Sequence, residues 1–403
     1  MSYLNLYQSL KDIFSTLDKK IPGSGLKFFQ NKFYSEFNQA FEKSTYTSED
    51  KTFKALLNFF LKNCPYADKY ILRLSELPDD SFPENNNFDY FILKPSNDTK
   101  TESVILLLHG LNERSWNKYL PWAFELCSQT NKAVILFPIA FHINRAPSEW
   151  SDPRLMKEVA KERIGMLPAI KFSSFANAAL STRLQFSPEC FLTSGLQTYF
   201  DIIKLIKDIR AGRNKFLAES TSVDLFGYSI GAFLAEILLM SNPAGLFSDS
   251  KLFIFCGGSV MNQTVPVSKA IMDSEAADAL NNFYIHKFDS VINQPEGVGS
   301  LIGKLEEKGT IFKSMLRLDK FSDLRNSLLN QLKDRIKVLG LLRDRVFPPE
   351  GLIKTFSQNN SIILQDFDYS YSHENPFPLH KLIDGQVTNA FNNVFRIAAS
   401  FLS

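Results

Sequence analysis

The sequence predicts an α/β fold in which helices cover both faces of a mostly parallel central sheet. Short apolar runs such as SVILLL, AVILFPIA and KLFIFC have the length of strands buried on both sides. Amphipathic stretches such as LQTYFDIIKLIKDIR separate them. Because parallel strands need a crossover between them, this alternation indicates a doubly covered parallel sheet.

The predicted elements follow in a consistent order along the chain. Two strand-like runs, KYILRLS and FDYFILKPS, come first. A strand at 104–108 is followed by a helix at about 117–130, the strand AVILFPIA, a long helix, the strand VDLFG, the helix SIGAFLAEILLM and the strand KLFIFCG. The strands IKVLGLL and SIILQDF and a closing helix at about 382–401 complete the series.

Residues 1–65 are predicted to form an N-terminal helical segment. Apolar residues recur there at helical spacing, first from Leu6 to Phe14 and again from Phe28 to Phe41. Such stripes are typical of helices that pack against a core. We therefore expect helices before the sheet begins.

Residues 66–403 are predicted to form the core, with insertions at 141–193 and 261–335. The second insertion is rich in charge and leucine and is predicted to be a helical cap. Both insertions follow strands, and loops at the carboxyl ends of strands frame the ligand crevice of an open α/β sheet. We therefore expect both to overhang a binding site.

Composition excludes several classes of function. Lysine and arginine number 45 against 43 aspartates and glutamates, so the chain lacks the basic surplus of a nucleic-acid-binding protein. No apolar run reaches the roughly 18 residues of a membrane span, and the first residues do not resemble a signal peptide. The four cysteines form no CxxC pair, so neither a metal nor another cofactor is expected. We expect a cytoplasmic protein that acts on a small molecule, without a membrane or nucleic-acid partner; the oligomeric state is left open.

A serine nucleophile is predicted at Ser229. The residues Gly227-Tyr228-Ser229-Ile230-Gly231 match G-x-S-x-G, directly after the strand VDLF and before the helix GAFLAEILLM. In this context the serine occupies a strained turn where strand and helix approach closely, so the flanking positions require glycine.

A serine hydroxyl needs a base, and the base needs an acid to orient it. In this topology the acid follows a late strand and the histidine follows the last one. Asp344 comes just after IKVLGLL, although it could also be a solvated turn carboxylate between two arginines. His373 lies in the final loop and is the preferred base, with His380 as the alternative.

Two backbone amides are predicted to stabilise an oxyanion. One belongs to Ile230, which follows the nucleophile, and the other to Leu111, which follows His109-Gly110 in a turn like the HG turn of lipases and esterases. His109 itself precedes the serine by too much sequence to be the base.

These motifs resemble the α/β-hydrolase superfamily, in its serine-nucleophile branch of esterases, lipases and related acyl hydrolases. The resemblance rests on HG at 109–110, GYSIG at 227–231, DRVFP at 344–348 and His373. It covers about residues 88–140, 195–260 and 336–403, and the stretch from HGLNERSW to APSEW is similar to uncharacterised bacterial members. The resemblance implies a catalytic triad of Ser229, Asp344 and His373.

The implied function is a serine hydrolase that cleaves an ester, thioester or related acyl bond. An acyltransferase on the same triad and a non-catalytic binding module with a relict triad are the alternatives. Possible substrate-binding residues are Tyr228, Asn112, Arg145 and Trp150. An arginine in the first insertion could bind a carboxylate or phosphate, or could instead hold the insertion onto the core.

Overall fold

A computed structural model describes residues 1–37, 58–72, 82–97, 99–293, 302, 305, 307–356 and 362–403. These residues contain a nine-stranded sheet. Its strands are β1 (Lys20–Ile21), β2 (Leu26–Tyr34), β3 (Asn87–Pro95), β4 (Thr101–Leu108), β5 (Ala133–Leu136), β6 (Leu217–Tyr228), β7 (Leu252–Phe255), β8 (Ile336–Leu341) and β9 (Ile362–Gln365).

The strands lie in the order β1-β2-β3-β5-β4-β6-β7-β8-β9. From β5 to β9 every neighbouring pair is parallel, whereas β1, β2 and β3 extend the sheet in antiparallel fashion at one edge. β5 and β7 are apolar along their whole length, and β4 is apolar from Val104 onward, because both faces of the sheet are covered there. This order, with helices on both faces, confirms the predicted α/β-hydrolase fold.

The α-helices whose bounds both lie within the described residues range from single turns to more than five turns. They are α1 (Tyr3–Phe14), α2 (Pro65–Ala67), α3 (Pro83–Asn86), α4 (Tyr119–Thr130), α5 (Pro153–Met166), α6 (Ala178–Phe186), α7 (Cys190–Arg210), α8 (Ile230–Ser241), α9 (Ser274–Asn281), α10 (Phe288–Val291), α11 (Glu307–Ser314), α12 (Ser322–Gln331), α13 (Pro349–Thr355) and α14 (Asp384–Leu402). The described part of the chain also contains π-helical segments at Asp68–Leu72 and Asn282–Lys287.

Many of the helices pack into two apolar cores, one on each face of the sheet, and a third apolar cluster includes residues of α2, α5 and α6. On one face α1, α4 and α14 pack against the strands, around the fully buried Trp122. On the other face α7, α8 and the helices of the second insertion form a larger core. No helix among the described residues has both the length and the apolarity to cross a membrane.

The prediction of helices throughout residues 1–65 is wrong for residues 26–34, which form β2. Phe28 is buried in one core and Phe33 in the other, as expected for positions of opposite parity in a strand that has cores on both faces. β2 pairs with β3 from Leu26 to Tyr34, so this segment is part of the central sheet. Residues 38–57, including Phe41, lie outside the described residues.

The two insertions are joined to each other above the carboxyl ends of the strands. Arg163 on α5 forms a bidentate ion pair with Asp273, the residue that caps α9, at 2.8 Å for each of the two contacts. Both side chains are fully buried. The backbone N–H of Asp273 also donates to the Ser181 hydroxyl on α6 at 3.0 Å. The helices of both insertions therefore form one packed unit.

Candidate active site

Ser229 stands in a sharp turn between β6 and α8. Its φ of 56° and ψ of −121° lie in a region that residues with side chains rarely adopt. The turn requires glycine on both sides: a Cβ on Gly227 would come within 2.5 Å of Ala232 Cα, and one on Gly231 within 2.3 Å of the Leu108 carbonyl oxygen. This explains physically why the spacing G-x-S-x-G is needed at this position.

Ser229, His373 and Asp344 are connected by hydrogen bonds. Nε2 of His373 lies 2.9 Å from Oγ of Ser229, and Nδ1 lies 2.8 Å from Oδ2 of Asp344. The other oxygen of Asp344 accepts the backbone amides of Val346 and Phe347 at 2.8 and 2.9 Å. Asp344 is therefore buried and fully engaged, rather than a solvated turn carboxylate. His380, the alternative base, is exposed in the loop beyond.

The imidazole of His373 packs against two aromatic rings. Tyr228 stacks on it with ring centroids 5.4 Å apart and an interplanar angle of 13°, and Phe347 lies 5.5 Å away at 25°. The Tyr228 hydroxyl donates to the backbone carbonyl of His373, and its burial raises the pKa of this phenol well above its ordinary value. Tyr228 is thus already engaged in positioning the histidine loop.

The turn after β4 places Leu111 beside the serine. Nδ1 of His109 contacts the Gly110 carbonyl at 2.8 Å, and its Nε2 accepts the Ile139 amide at 2.9 Å. Burial, reinforced by neighbouring positive groups, holds the His109 pKa well below its usual range. The ring is therefore neutral, and its hydrogen bonds stabilise the turn. Among the described residues, no protein group accepts a hydrogen bond from the amides of Leu111 or Ile230. Both amides are therefore available to a ligand.

Ser229 opens onto a polar cavity of about 340 Å³. His373 lines the same cavity, together with charged residues of the turn after β4 and polar residues of the first insertion. Ser229 also borders an apolar cleft whose lining includes Phe233 and Phe347. That cleft shares Leu111, Ile230 and Phe233 with a second apolar cavity of about 90 Å³ beneath the insertions. The serine thus lies between a polar and an apolar space.

Comparison with known proteins assigns the family. A family model described as a family of unknown function, DUF6051, matches residues 1–403. The chain belongs to the DUF6051 family. No curated protein sequence matches it.

Three solved esterase structures are similar to this chain at low sequence identity. Esterase Est22 is 11% identical, with 99% of this chain and 87% of that chain covered and a TM-score of 0.44. The carboxyl esterase TmelEST2 from the mycorrhizal fungus Tuber melanosporum is 10% identical, with coverages of 79% and 82% and a TM-score of 0.39. A thermostable esterase from Pseudomonas putida ECU1011 is 10% identical, with coverages of 79% and 80% and a TM-score of 0.40. The resemblance to uncharacterised bacterial members stays a prediction.

The structure of this DUF6051 protein contradicts the expectation that Arg145 contacts a substrate. Its guanidinium is fully buried and pairs with Asp201 on α7 at 2.8 Å, with further hydrogen bonds to the Asn85 side chain and the Pro138 carbonyl. It also stacks 4.0 Å above the ring of Phe88. Arg145 holds the first insertion onto the core, which was the alternative that the sequence left open.

Two other predicted substrate-binding residues line the polar cavity, but their polar groups already have protein partners. Asn112 donates to the carbonyls of Ala176 and Ala270, one in each insertion, at 2.8 and 2.6 Å. The indole N–H of Trp150 donates to the Tyr70 carbonyl at 3.0 Å. These side chains shape the cavity, and a direct contact between either of them and a substrate stays a prediction.

Sequence reasoning missed the charged residues that follow the HG turn. Glu113 pairs with Lys118 and accepts the Tyr119 hydroxyl at 2.7 Å, while Arg114 donates to the Asn112 side-chain oxygen at 2.9 Å. All of these except Tyr119 line the polar cavity. Their position directly after the strand that leads into the oxyanion turn is the sequence feature that could have identified them as site residues. In the part of the chain that the structure describes, no cluster of three or more potential metal ligands is present.

Proposed function

We propose that this DUF6051 protein is a serine hydrolase that cleaves a carboxylic ester, thioester or related acyl bond of a small molecule. The observation that carries the proposal is the unbroken hydrogen-bond chain from Asp344 through His373 to Ser229, at a serine with positive φ that faces a cavity. A serine activated by a histidine and a carboxylate is suited to nucleophilic attack on an acyl carbon.

The geometry supports a reaction in two stages. Ser229 Oγ attacks the acyl carbon while Nε2 of His373 takes the hydroxyl proton, and the amides of Leu111 and Ile230 stabilise the resulting oxyanion. His373 then protonates the leaving group, and the acyl group stays on Ser229. Water attacks this acyl-enzyme with His373 as base, which releases the acid and restores the serine. Asp344 stabilises the imidazolium in both stages.

The apolar cleft and the polar cavity beside Ser229 suggest where the acyl group and the leaving group of a substrate bind. The apolar cleft begins beside the serine and the two free amides, so it suits the acyl group. His373 borders the polar cavity, so a leaving group that takes its proton lies there. This arrangement favours ester or thioester substrates that combine an apolar acyl chain with a polar alcohol or thiol.

Hydrolysis of p-nitrophenyl esters of graded acyl length tests the proposal. We expect turnover by the wild type and a mass increase on Ser229 equal to the acyl group when the reaction is quenched early. Ser229→Ala should lose both, whereas Ser222→Ala, at an exposed serine of β6 that lines neither the polar cavity nor the apolar cleft, should retain turnover within about twofold.

The alternatives are distinguished in the same assay. Faster release of the acyl group in the presence of an added alcohol or thiol, with the acylated acceptor as product, would indicate an acyltransferase. Absence of both turnover and acylation would indicate a binding module instead. The 2.9 Å contact between His373 and Ser229 supports the catalytic proposal over a relict triad.

A further inference from the structure

Arg114 is a largely buried cation without a carboxylate partner in the cavity of Ser229. It extends from the turn after β4, and its one hydrogen bond to a described residue is the 2.9 Å contact with the neutral side chain of Asn112. None of the carboxylates in the described residues lies within ion-pairing distance of its guanidinium. Burial lowers the Arg114 pKa to about 10, and no acidic group offsets this effect. A guanidinium has five N–H donors, so most of its binding capacity is unused.

Two buried arginines of the first insertion have carboxylate partners, and the buried Arg325 of the second insertion donates to four backbone carbonyls instead. Arg145 is paired with Asp201 and Arg163 with Asp273, both at hydrogen-bond distance inside the protein. Taking a cation out of water costs free energy that a buried counter-ion normally offsets. Arg114 has no such counter-ion among the described residues, and it faces a cavity. This arrangement is the one expected of an anion-binding site.

The other charged groups of the cavity are occupied by protein partners. Lys118 pairs with Glu113 and also donates to the Glu374 carbonyl at 3.2 Å. Asp152 accepts backbone amides at the start of α5. The pKa of Glu374 is lowered overall. Burial alone would raise it, but hydrogen bonds to the carboxylate, the strongest from the Ser268 side chain, have the larger combined effect. Among the charged groups of this cavity, Arg114 therefore has the most donors left for a ligand.

We propose that Arg114 binds an anionic group, a carboxylate or a phosphate, on the leaving-group part of the substrate. The proposal rests on the proposed function and narrows it. A planar guanidinium matches both anions because it can donate two parallel hydrogen bonds. The anion belongs to the leaving group because Arg114 lines the polar cavity that His373 borders, and it does not line the apolar cleft. The substrate class is therefore an acyl ester or thioester of an acidic alcohol or thiol.

Matched esters test this inference. The butanoyl ester of 4-hydroxybenzoate carries the anion on the leaving group, and the butanoyl ester of methyl 4-hydroxybenzoate is its neutral counterpart. The butanoyl ester of 4-hydroxyphenyl phosphate supplies the phosphate in place of the carboxylate. The measured quantity is the ratio of kcat/KM for the anionic ester to that for the neutral ester, in wild type, Arg114→Gln, Arg114→Lys and Arg154→Gln. Arg154 is an exposed arginine at the start of α5 that does not line the cavity.

We expect Arg114→Gln to lower this ratio by about tenfold or more for the carboxylate or the phosphate ester, because a charge-assisted hydrogen bond is lost. The ester with the larger loss identifies the preferred anion. Arg114→Lys should recover part of the ratio, and Arg154→Gln should leave it within about twofold. The internal ratio is insensitive to a general loss of activity or fold.

Two outcomes overturn the inference while the proposed function stands. One is turnover of all esters with a ratio that changes by less than about threefold in Arg114→Gln. The other is a loss confined to esters that carry the anion on the acyl side, tested as p-nitrophenyl hemisuccinate against p-nitrophenyl butanoate. Failure of the proposed function has a different signature, because the wild type would then hydrolyse none of these esters and would form no acyl-enzyme.

Discussion

Asp344 holds His373 in a single orientation through the 2.8 Å hydrogen bond between Oδ2 and Nδ1. The two side chains are 1% and 3% exposed, so water does not compete for this contact. Because the second oxygen of Asp344 accepts the amides of Val346 and Phe347, the carboxylate itself cannot rotate freely. The proton of the imidazole is thereby kept on Nδ1, and Nε2 faces Ser229 as an acceptor.

Asp344→Asn is expected to lower kcat by roughly 10³–10⁴-fold with little loss of stability. The amide oxygen can still accept the two backbone amides, so its NH₂ group is directed at Nδ1 of His373. That contact requires the proton on Nε2, which is the wrong tautomer for a base. Steady-state hydrolysis of a p-nitrophenyl ester measures the loss.

Asp366→Asn is the matched control for this substitution. Asp366 is an exposed aspartate that pairs with Arg343 near the same loop. Activity within about twofold of wild type is expected, because exposed ion pairs contribute little. An Asp344→Asn variant that keeps more than a tenth of wild-type kcat would contradict the role assigned to the carboxylate.

Asp273→Asn is expected to destabilise the protein by about 3–5 kcal/mol. Asparagine retains the shape and the cap of α9, but it leaves the buried Arg163 guanidinium without a counter-charge. Urea unfolding followed by circular dichroism measures the change. Because this pair joins the two insertions, limited proteolysis should also cut the variant within 141–193 or 261–335 faster than the wild type.

The control for that pair is Glu158→Gln. Glu158 and Lys161 form an ion pair on the exposed side of α5, with side chains 39% and 60% exposed. A change within about 0.5 kcal/mol is expected. If Asp273→Asn is no more destabilising than Glu158→Gln, the two insertions are not held together by the buried pair.

Acidification below about pH 6.5 is expected to destabilise the fold through two buried histidines. Burial lowers the pKa of His142 from its usual 6.5 to about 4 and holds that of His109 well below its usual range. Each ring binds a proton more readily in the unfolded chain, so stability is full above about pH 6.5 and falls as the pH approaches the folded-state pKa. Each histidine contributes a slope of about 1.4 kcal/mol per pH unit in this window.

His142→Gln isolates one of these contributions. The free energy of unfolding in urea, measured at pH 6.0, 5.5 and 5.0, should fall less steeply in the variant than in the wild type, by about 1.4 kcal/mol per pH unit. The comparison of slopes removes the contribution of carboxylates, which both proteins share. Equal slopes would show that His142 is not buried as a neutral ring.

The parts of the fold and site that the sequence predicts are those with a local cause. The serine turn follows from glycine at 227 and 231, where any Cβ would collide with backbone or with α8. The parallel strands follow from apolar runs that are buried on both faces. The positions of Asp344 and His373 follow from the order of elements after Ser229, and the structure brings all three side chains together.

The features that the sequence did not predict depend on distant partners. The spacing of Phe28, Phe29 and Phe33 fits a helix and also fits a strand with a core on each face, and only pairing with β3 decides between them. The sequence predicts Arg145 as a cavity residue because its partner Asp201 lies far along the chain and is brought beside it only by the fold. The exposure of Arg114 to the cavity likewise depends on how the insertions fold over the turn.

Labelling with a fluorophosphonate probe tests the central claim, an activated serine, most directly. The probe phosphonylates a serine, with loss of fluoride, only when a base and oxyanion donors activate the serine. We predict stoichiometric labelling of the wild type on Ser229, detected by peptide mass spectrometry, and none in Ser229→Ala or His373→Ala variants that retain the wild-type circular dichroism spectrum. A wild-type protein that stays unlabelled, or labelling that persists in folded Ser229→Ala, would contradict the account.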